Sequence, residues 1–180
     1  MLLSNKSFER LGWKAWMVPP VRSEAERRRL LQATVSGQAD VIATDHAPHE
    51  VGEKRLPPEE SPPGIPGLET TLPLLMSLVN KGMMSLRTMV NCLARNPARI
   101  FGVASKGIIE QGADGDIVLV DPKRRSVVKP EKFFSKAKYS PFEGWKTQGQ
   151  VDTTIVRGQI IYERGQIVAA PGAGAVLKRN

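Results

Sequence analysis

The sequence predicts an α/β fold, with parallel strand–helix units first and antiparallel strands after them. Three observations predict it. The apolar run Val41-Ile42-Ala43-Thr44 follows a polar turn and stops at Asp45-His46-Ala47-Pro48-His49, which suits a buried strand in a parallel sheet covered on both faces. A strand-like stretch and a helix precede that run, making a βαβ unit. Beyond Gly102 helical periods give way to Gly, Asp and alternating β-branched residues, the texture of hairpins.

Taken in order, Ser4 to Leu11 reads as a short helix capped by Ser4, with Phe8 and Leu11 on one face and Gly12 at its end. Trp13 to Val18 reads as a strand stopped by Pro19-Pro20. Ser23-Glu24-Ala25-Glu26 is a capping box. The helix it opens turns Leu30, Leu31 and Ala33-Thr34 inward and ends near Gly37. Pro48 lacks a donor, so the Val41 strand stops near Ala47.

Glu50 to Pro66 is rich in proline, too long and irregular for a simple connection, and Gly64-Ile65-Pro66-Gly67 argues for a shaped loop. From Leu68, apolar residues at helical spacing (Leu72, Leu75, Met76, Val79) predict a helix ending by Gly82. A second runs from Ser85 through Leu86, Met89, Val90 and Leu93 and ends before Pro97, and a short turn, Ala98 to Phe101, stops at Gly102. The methionines read as core filler. Ile117-Val118-Leu119-Val120 reads as a strand before Asp121-Pro122. Val151 to Ala170 reads as a meander with turns at Arg157-Gly158 and Arg164-Gly165. A boundary falls near residues 102–106, and the Gly- and Ala-rich tail from Ala169 to Asn180 winds over a surface or frays.

Composition excludes several classes. The 26 basic and 18 acidic residues give a net charge of +8, but Arg27-Arg28-Arg29, Lys123-Arg124-Arg125 and Lys178-Arg179 lie far apart, and no aromatic–basic interleaving points to nucleic acid. The longest apolar stretches contain Pro or are too short to span a membrane, and no signal peptide is evident. Cys92 is the only cysteine; it packs as a small hydrophobe, excludes an internal disulfide and fits a reducing, cytoplasmic compartment.

The chemistry concentrates at Asp45, His46 and His49. Read blandly, Asp45 caps a turn and the histidines are ordinary loop residues; the spacing is not that of the H-E-x-x-H zinc motif. In its wider setting, Thr44-Asp45-His46-Ala47-Pro48-His49 resembles the end of the eighth barrel strand in dihydroorotases, members of the amidohydrolase superfamily. Other segments match in family order: Pro19-Pro20-Val21-Arg22-Ser23, Pro62-Pro63-Gly64-Ile65-Pro66-Gly67-Leu68-Glu69-Thr70, Asn96-Pro97-Ala98-Arg99-Ile100-Phe101-Gly102, Gly112-Ala113-Asp114-Gly115-Asp116, and Ser140-Pro141-Phe142-Glu143-Gly144-Trp145. Allantoinase and dihydropyrimidinase share the architecture but rank lower on the Ala-Pro-His and Pro-Phe-Glu-Gly-Trp stretches.

The resemblance implies a fold and a reaction. Residues 1–104 would be the C-terminal part of a (β/α)8 TIM-type barrel, its last two β/α units plus an extra helix, whose strand C-termini carry catalysis. Residues 105–180 would be a β-sandwich portion and tail. The reaction would be the reversible ring closure of N-carbamoyl-L-aspartate to dihydroorotate in pyrimidine biosynthesis. In hydrolysis a zinc-bound hydroxide, available because the metal lowers the pKa of water to about 7, attacks the ring carbonyl, and a carboxylate moves its proton to the leaving nitrogen. Carried over by position, Asp45 resembles the aspartate that both ligates zinc and shuttles the proton. His49 resembles the histidine that binds the substrate carboxylate, and Pro63 and Gly64 the loop pair whose backbone meets the substrate. His46 is expected to make a supporting hydrogen bond rather than ligate.

Two departures stand out. The family's His-x-His pair, its bridging carboxylate or carboxylated lysine and its further metal histidines have no counterpart, because both histidines lie in the Asp45 stretch. Val18 stands where the family often has a substrate-binding Asn. The resemblance therefore implies the C-terminal portion of a dihydroorotase, incomplete as this chain alone. Its zinc site would be completed by a missing N-terminal half, and its open parallel edges would favour an oligomer. The alternative is a non-catalytic scaffold that partners aspartate carbamoyltransferase.

Overall fold

The computed structural model describes residues 1–57 and 59–177; Lys178-Arg179 and the end of the tail lie outside them. Helix and sheet occupy different parts of the chain. The helices are α1 (Asn5–Leu11), α2 (Glu24–Val35), α3 (Val51–Lys54), α4 (Leu68–Asn80), α5 (Leu86–Val90) and α6 (Asn96–Ile100). The strands β1 (Ile117–Val127), β2 (Lys146–Val156), β3 (Gln159–Glu163) and β4 (Gln166–Ile167) form one antiparallel sheet in that order.

Local signals set most helix ends. Ser4 is the N-cap of α1, and its N–H donates to Ser7 Oγ (3.2 Å). The Ser23 box closes both ways: Glu26 N–H donates to Ser23 Oγ (3.3 Å) and Ser23 N–H to Glu26 Oε2 (3.1 Å), satisfying donors that a helix start leaves unpaired. Helix α2 ends at Val35, before Gly37 at φ +80°. Leu31 packs on the core as expected, but Leu30 is exposed and borders an open cleft.

The predicted strand over Trp13–Val18 is a 3-10 turn, Gly12–Ala15, followed by non-helical chain into Pro19. No backbone runs beside it as a ladder partner among the described residues; a backbone bond from another segment reaches it at Trp16 O, from Gly64 N–H (3.0 Å). The predicted buried strand over Val41–Thr44 likewise has no ladder among the described residues. It is half-buried or exposed, held by Ile42 N–H on Cys92 O (3.1 Å), Ala47 N–H on Ile65 O (3.1 Å) and an isolated parallel bridge between His46 and Ile65. The parallel βαβ unit is thus not formed within the described residues. A ladder needs a second strand, and the described chain brings only residues near 65 and 92 alongside.

Pro97 does not end its helix either. Between α5 and α6 the chain widens into a π-helical turn, Asn91–Arg95, and the helical run continues through Pro97 to Ile100. The wider register relieves the missing donor and ring clash that a proline brings to an α-helix. Strand β1 runs past Asp121-Pro122, where a ladder irregularity falls; Asp121 Oδ1 accepts the N–H groups of Lys123 (2.9 Å) and Arg124 (3.1 Å). Strand β2 begins at Lys146, earlier than the apolar alternation shows. The turns at Arg157-Gly158 (φ +53° and +78°) and Arg164-Gly165 (φ +48° and +94°) fall where predicted, in the left-handed region that tight hairpins need.

Helix α4 joins the two parts. Leu75, Met76 and Leu78 pack with Met84 and Met89, while Leu74 packs with Leu3, Val128 and Phe142. Gly149 of β2 (φ +98°) lies so close that a Cβ there would stand 2.5 Å from Met76 Cβ. Ser77 Oγ accepts Gln148 N–H (2.9 Å), and Asn80 Nδ2 donates to Pro122 O (3.0 Å) and Gln148 O (3.1 Å). Cys92 is buried, as expected, with Sγ on Ala39 O (3.4 Å). Among the described residues no helix is long and apolar enough to cross a membrane.

The loop between α6 and β1 is latched electrostatically. Lys106 Nζ pairs with Asp114 (2.9 Å) and with Asp116, and Asp116 Oδ1 accepts Arg157 N–H (2.7 Å) at the hairpin turn. The hydrogen bond from Lys106 holds both carboxyls below the ordinary range, and those carboxylates hold Lys106 above its own. For a depressed carboxyl the contribution is full above the unfolded value of ~3.9 and is lost as pH falls through the folded one; for Lys106 it is full below ~10.4 and lost as pH rises through its folded value. The Arg157 amide chemical shift should therefore stay flat between those limits and move on either side. A shift already complete at pH ~5 would sink the latch.

Candidate functional site

Asp45 sits at the exposed end of the 41–47 segment in a left-handed backbone conformation, φ +44°. Its carboxylate makes no hydrogen bond or ion pair among the described residues, so it is not capping a turn. His46 is engaged at the start of α4. Its Nδ1 accepts the N–H groups of Gly67 (3.0 Å) and Leu68 (3.4 Å), donors that a helix start leaves unpaired. That fixes Nδ1 as an acceptor and matches the expected supporting bond.

His49 meets the proline loop. Its Nε2 lies 3.2 Å from Pro63 O; a carbonyl only accepts, so Nε2 carries the proton. Nδ1 faces Glu53 Oε2 at 4.0 Å. To grip an anion, His49 must release Pro63 or use Nδ1 as the imidazolium. The structure thus brings His49 and Pro63 together, with Gly64 beside them.

Gly64 is at φ +137°, and a Cβ there would lie 2.6 Å from both Ala47 Cβ and Ala47 O. A Cβ on Gly67 would stand 3.0 Å from Thr44 O. Both glycines let the loop press onto the 44–47 segment. Gly64 N–H is bound to Trp16 O (3.0 Å), and Gly64 O accepts the Tyr139 hydroxyl (3.1 Å). Burial pushes the Tyr139 phenol up to about 12.

Lys54, which no sequence signal singled out, is 0% exposed. Its ammonium donates to Trp16 O (3.0 Å) and Pro62 O (2.9 Å) and lies 6.0 Å from the centre of the Tyr139 ring. Burial lowers its pKa. It sits between Glu53 and Arg55, a setting that reads as a solvated turn.

An open, mostly apolar cleft of about 620 Å³ borders the site at Thr44, Ile65 and Gly67, with Leu3, Met17 and Leu30 on its walls. Asp45 and His49 do not line it, so the chemistry-bearing groups sit at its edge. No group of three or more His, Cys, Asp or Glu able to hold a metal occurs among the described residues. These residues thus do not fit a zinc site by themselves: a catalytic zinc takes three protein ligands, and Asp45, His46 and His49 do not come together as such a group.

Over residues 15–161 the chain matches the amidohydrolase family. It is 41% identical over 172 residues to the dihydroorotase of Methanothermobacter thermautotrophicus, aligning 96% of this chain with 39% of that protein. It is 39% identical over 180 residues to the dihydroorotase of Pyrococcus horikoshii, covering 100% of this chain and 41% of that one. Among solved structures it is similar to L-hydantoinase (dihydropyrimidinase) from Arthrobacter aurescens, with TM-score 0.88, 33% identity, and coverage of 93% of this chain and 38% of that one. It is also similar to dihydropyrimidinase from Brevibacillus agri, with TM-score 0.92, 30% identity, and coverage of 99% and 41%. The chain spans about two fifths of the length of these relatives.

The Gly64–Ala47 contact has a measurable consequence. Gly64→Ala should lower the unfolding free energy by about 2–4 kcal/mol, from overpacking plus an unfavourable backbone region, and Ala47→Gly in the same chain should recover part of the loss. Urea unfolding of the single and double variants checks this. Equal losses in both would rule out the steric contact as the cause.

Proposed function

The chain belongs to the amidohydrolase family, and we propose that it contributes the proton-transfer and substrate-carboxylate elements of a dihydroorotase, the enzyme that interconverts dihydroorotate and N-carbamoyl-L-aspartate in pyrimidine biosynthesis. In this reading residues 1–104 are the C-terminal part of a (β/α)8 barrel and residues 105–180 belong to a β-sandwich. One observation carries it: Asp45 keeps a free, exposed carboxylate on a left-handed backbone, beside a loop in which His49 meets Pro63.

In the hydrolytic direction the oxygen of water bonds to the ring carbonyl carbon and the carbon–nitrogen bond breaks. Asp45 takes the proton from the water and gives it to the leaving nitrogen. A positioned base of this kind is worth about 10²–10⁴ in rate. His49 orients the substrate carboxylate, and Pro63 and Gly64 form the wall of that subsite. Family members are generally metal-dependent. The metal in this reading is zinc, with Asp45 as one ligand and the others supplied from outside the described residues. The site then needs a complementary polypeptide segment.

Likeness to the hydantoinases supports a second reading, a cyclic amidohydrolase acting on hydantoins or dihydropyrimidines. Higher identity to dihydroorotases favours the first.

Zinc content and dihydroorotate hydrolysis decide between the readings. The chain alone, given zinc, should bind less than one equivalent and turn nothing over. Exchanged for the matching part of the Methanothermobacter relative, it should support dihydroorotate hydrolysis, which Asp45→Asn lowers by about 10²–10⁴. An inert chimera that folds and binds zinc favours the non-catalytic scaffold, and preference for hydantoin or dihydrouracil favours the second reading.

A further inference from the structure

The loop that carries Pro62, Pro63 and Gly64 is short of hydrogen-bond donors. Pro62 and Pro63 offer two carbonyls and no N–H; Pro62 is half-buried and Pro63 exposed, and a carbonyl turned away from water needs a donor. Two side chains from the preceding segment provide it. Lys54 Nζ takes Pro62 O (2.9 Å) and His49 Nε2 takes Pro63 O (3.2 Å).

Lys54 also reaches Trp16 O (3.0 Å), the acceptor of Gly64 N–H (3.0 Å). The ring closes elsewhere: Ser61 Oγ donates to Lys54 O (3.1 Å), Trp16 Nε1 to Ser61 O (3.0 Å), and the Tyr139 hydroxyl to Gly64 O (3.1 Å). One ammonium thus joins the 16, 54 and 62 segments beneath the Tyr139 ring. An apolar residue of similar volume would fill the space as well; it would leave Pro62 O without its donor, a loss typically felt when a buried acceptor is orphaned.

We propose that Lys54 is a positioning residue for the candidate substrate loop. Its ammonium supplies the donor that Pro62-Pro63 lack and holds Pro62–Gly64 in place independently of His49. His49 can then leave Pro63 O for an anionic group while the loop keeps its shape. The functional half of this proposal rests on the dihydroorotase reading; the loop-ordering half does not.

The test uses the full chain without substrate, so it is independent of whether dihydroorotate is turned over. Amide hydrogen exchange is measured at Gly64 and at Leu75 in α4, and ¹⁵N signals are followed at the His49 ring, in wild type, Lys54→Met and Lys54→Arg. Lys54→Met should speed exchange at Gly64 at least tenfold more than at Leu75 and move the His49 Nε2 signal; Lys54→Arg should restore most of both. Equal acceleration at Gly64 and Leu75, or no change at either, would overturn the proposal. Should Lys54→Met fail to fold, competitive acetylation of wild type with acetic anhydride decides. Lys54 should react at least tenfold more slowly than exposed Lys129, and its modification should coincide with loss of Gly64 protection. Reaction at the rate of Lys129, or modification that leaves Gly64 protected, would overturn it.

Discussion

Helix α4 is the part on which the rest of this chain depends. Its sides carry Leu74, Leu75, Met76 and Leu78 into both apolar clusters, and its polar positions Ser77 and Asn80 are bonded to strands β2 and β1. Its first N–H groups are taken by His46. The same helix therefore aligns the sheet on one flank and the Asp45 segment at its start. Gly149 permits the first contact, because β2 approaches Met76 more closely than any side chain allows. Gly67 permits the second, because α4 begins against Thr44. Burial of a largely apolar helix drives the packing at roughly 25 cal/mol per Å², and the two glycines set how near the neighbouring backbones come.

What the sequence made legible was local. The Ser23–Glu26 box, the glycines after α2 and α4, and the Arg157-Gly158 turn each act through residues a few positions apart, and each lies where expected. The misses were properties of pairs. Trp13–Val18 and Val41–Thr44 have apolar runs typical of strands, but a strand also needs a neighbour, which the described residues do not provide. Pro97 looks like a helix stop until the preceding turn widens. At the candidate site, Asp45, His49, Pro63 and Gly64 are picked out by position, through resemblance to family segments. The bond of His49 to Pro63 and the contact of Gly64 with Ala47 could not be picked out, since they depend on how two segments meet. Lys54 was illegible for the same reason: nothing nearby in sequence marks a lysine for burial.

Side chains, rather than ladders, supply order around the site. Prolines remove backbone donors between residues 57 and 66, and the carbonyls of Pro62, Pro63 and Gly64 turn to Lys54, His49 and Tyr139. Such a loop has a shape set by a few strong bonds. Losing one removes a larger share of its support than losing one rung of the β1–β2 ladder, where neighbouring rungs keep the register.

The contrast between Asp45 and its neighbours bears on whether the motif is a site or an ordinary turn. A non-glycine residue in the left-handed region is disfavoured by roughly 1–2 kcal/mol, and aspartate commonly offsets this by bonding its carboxylate to the local backbone. Asp45 adopts the conformation without that bond. The fixing comes from outside: Ala47 N–H on Ile65 O and Gly67 N–H on His46 Nδ1 hold the chain just beyond it. The residue is kept in an uncommon conformation by its surroundings while its carboxylate stays available. A turn cap would use the carboxylate and would need no such support. Both features suit an acid placed to meet a ligand, which is the role proposed for Asp45.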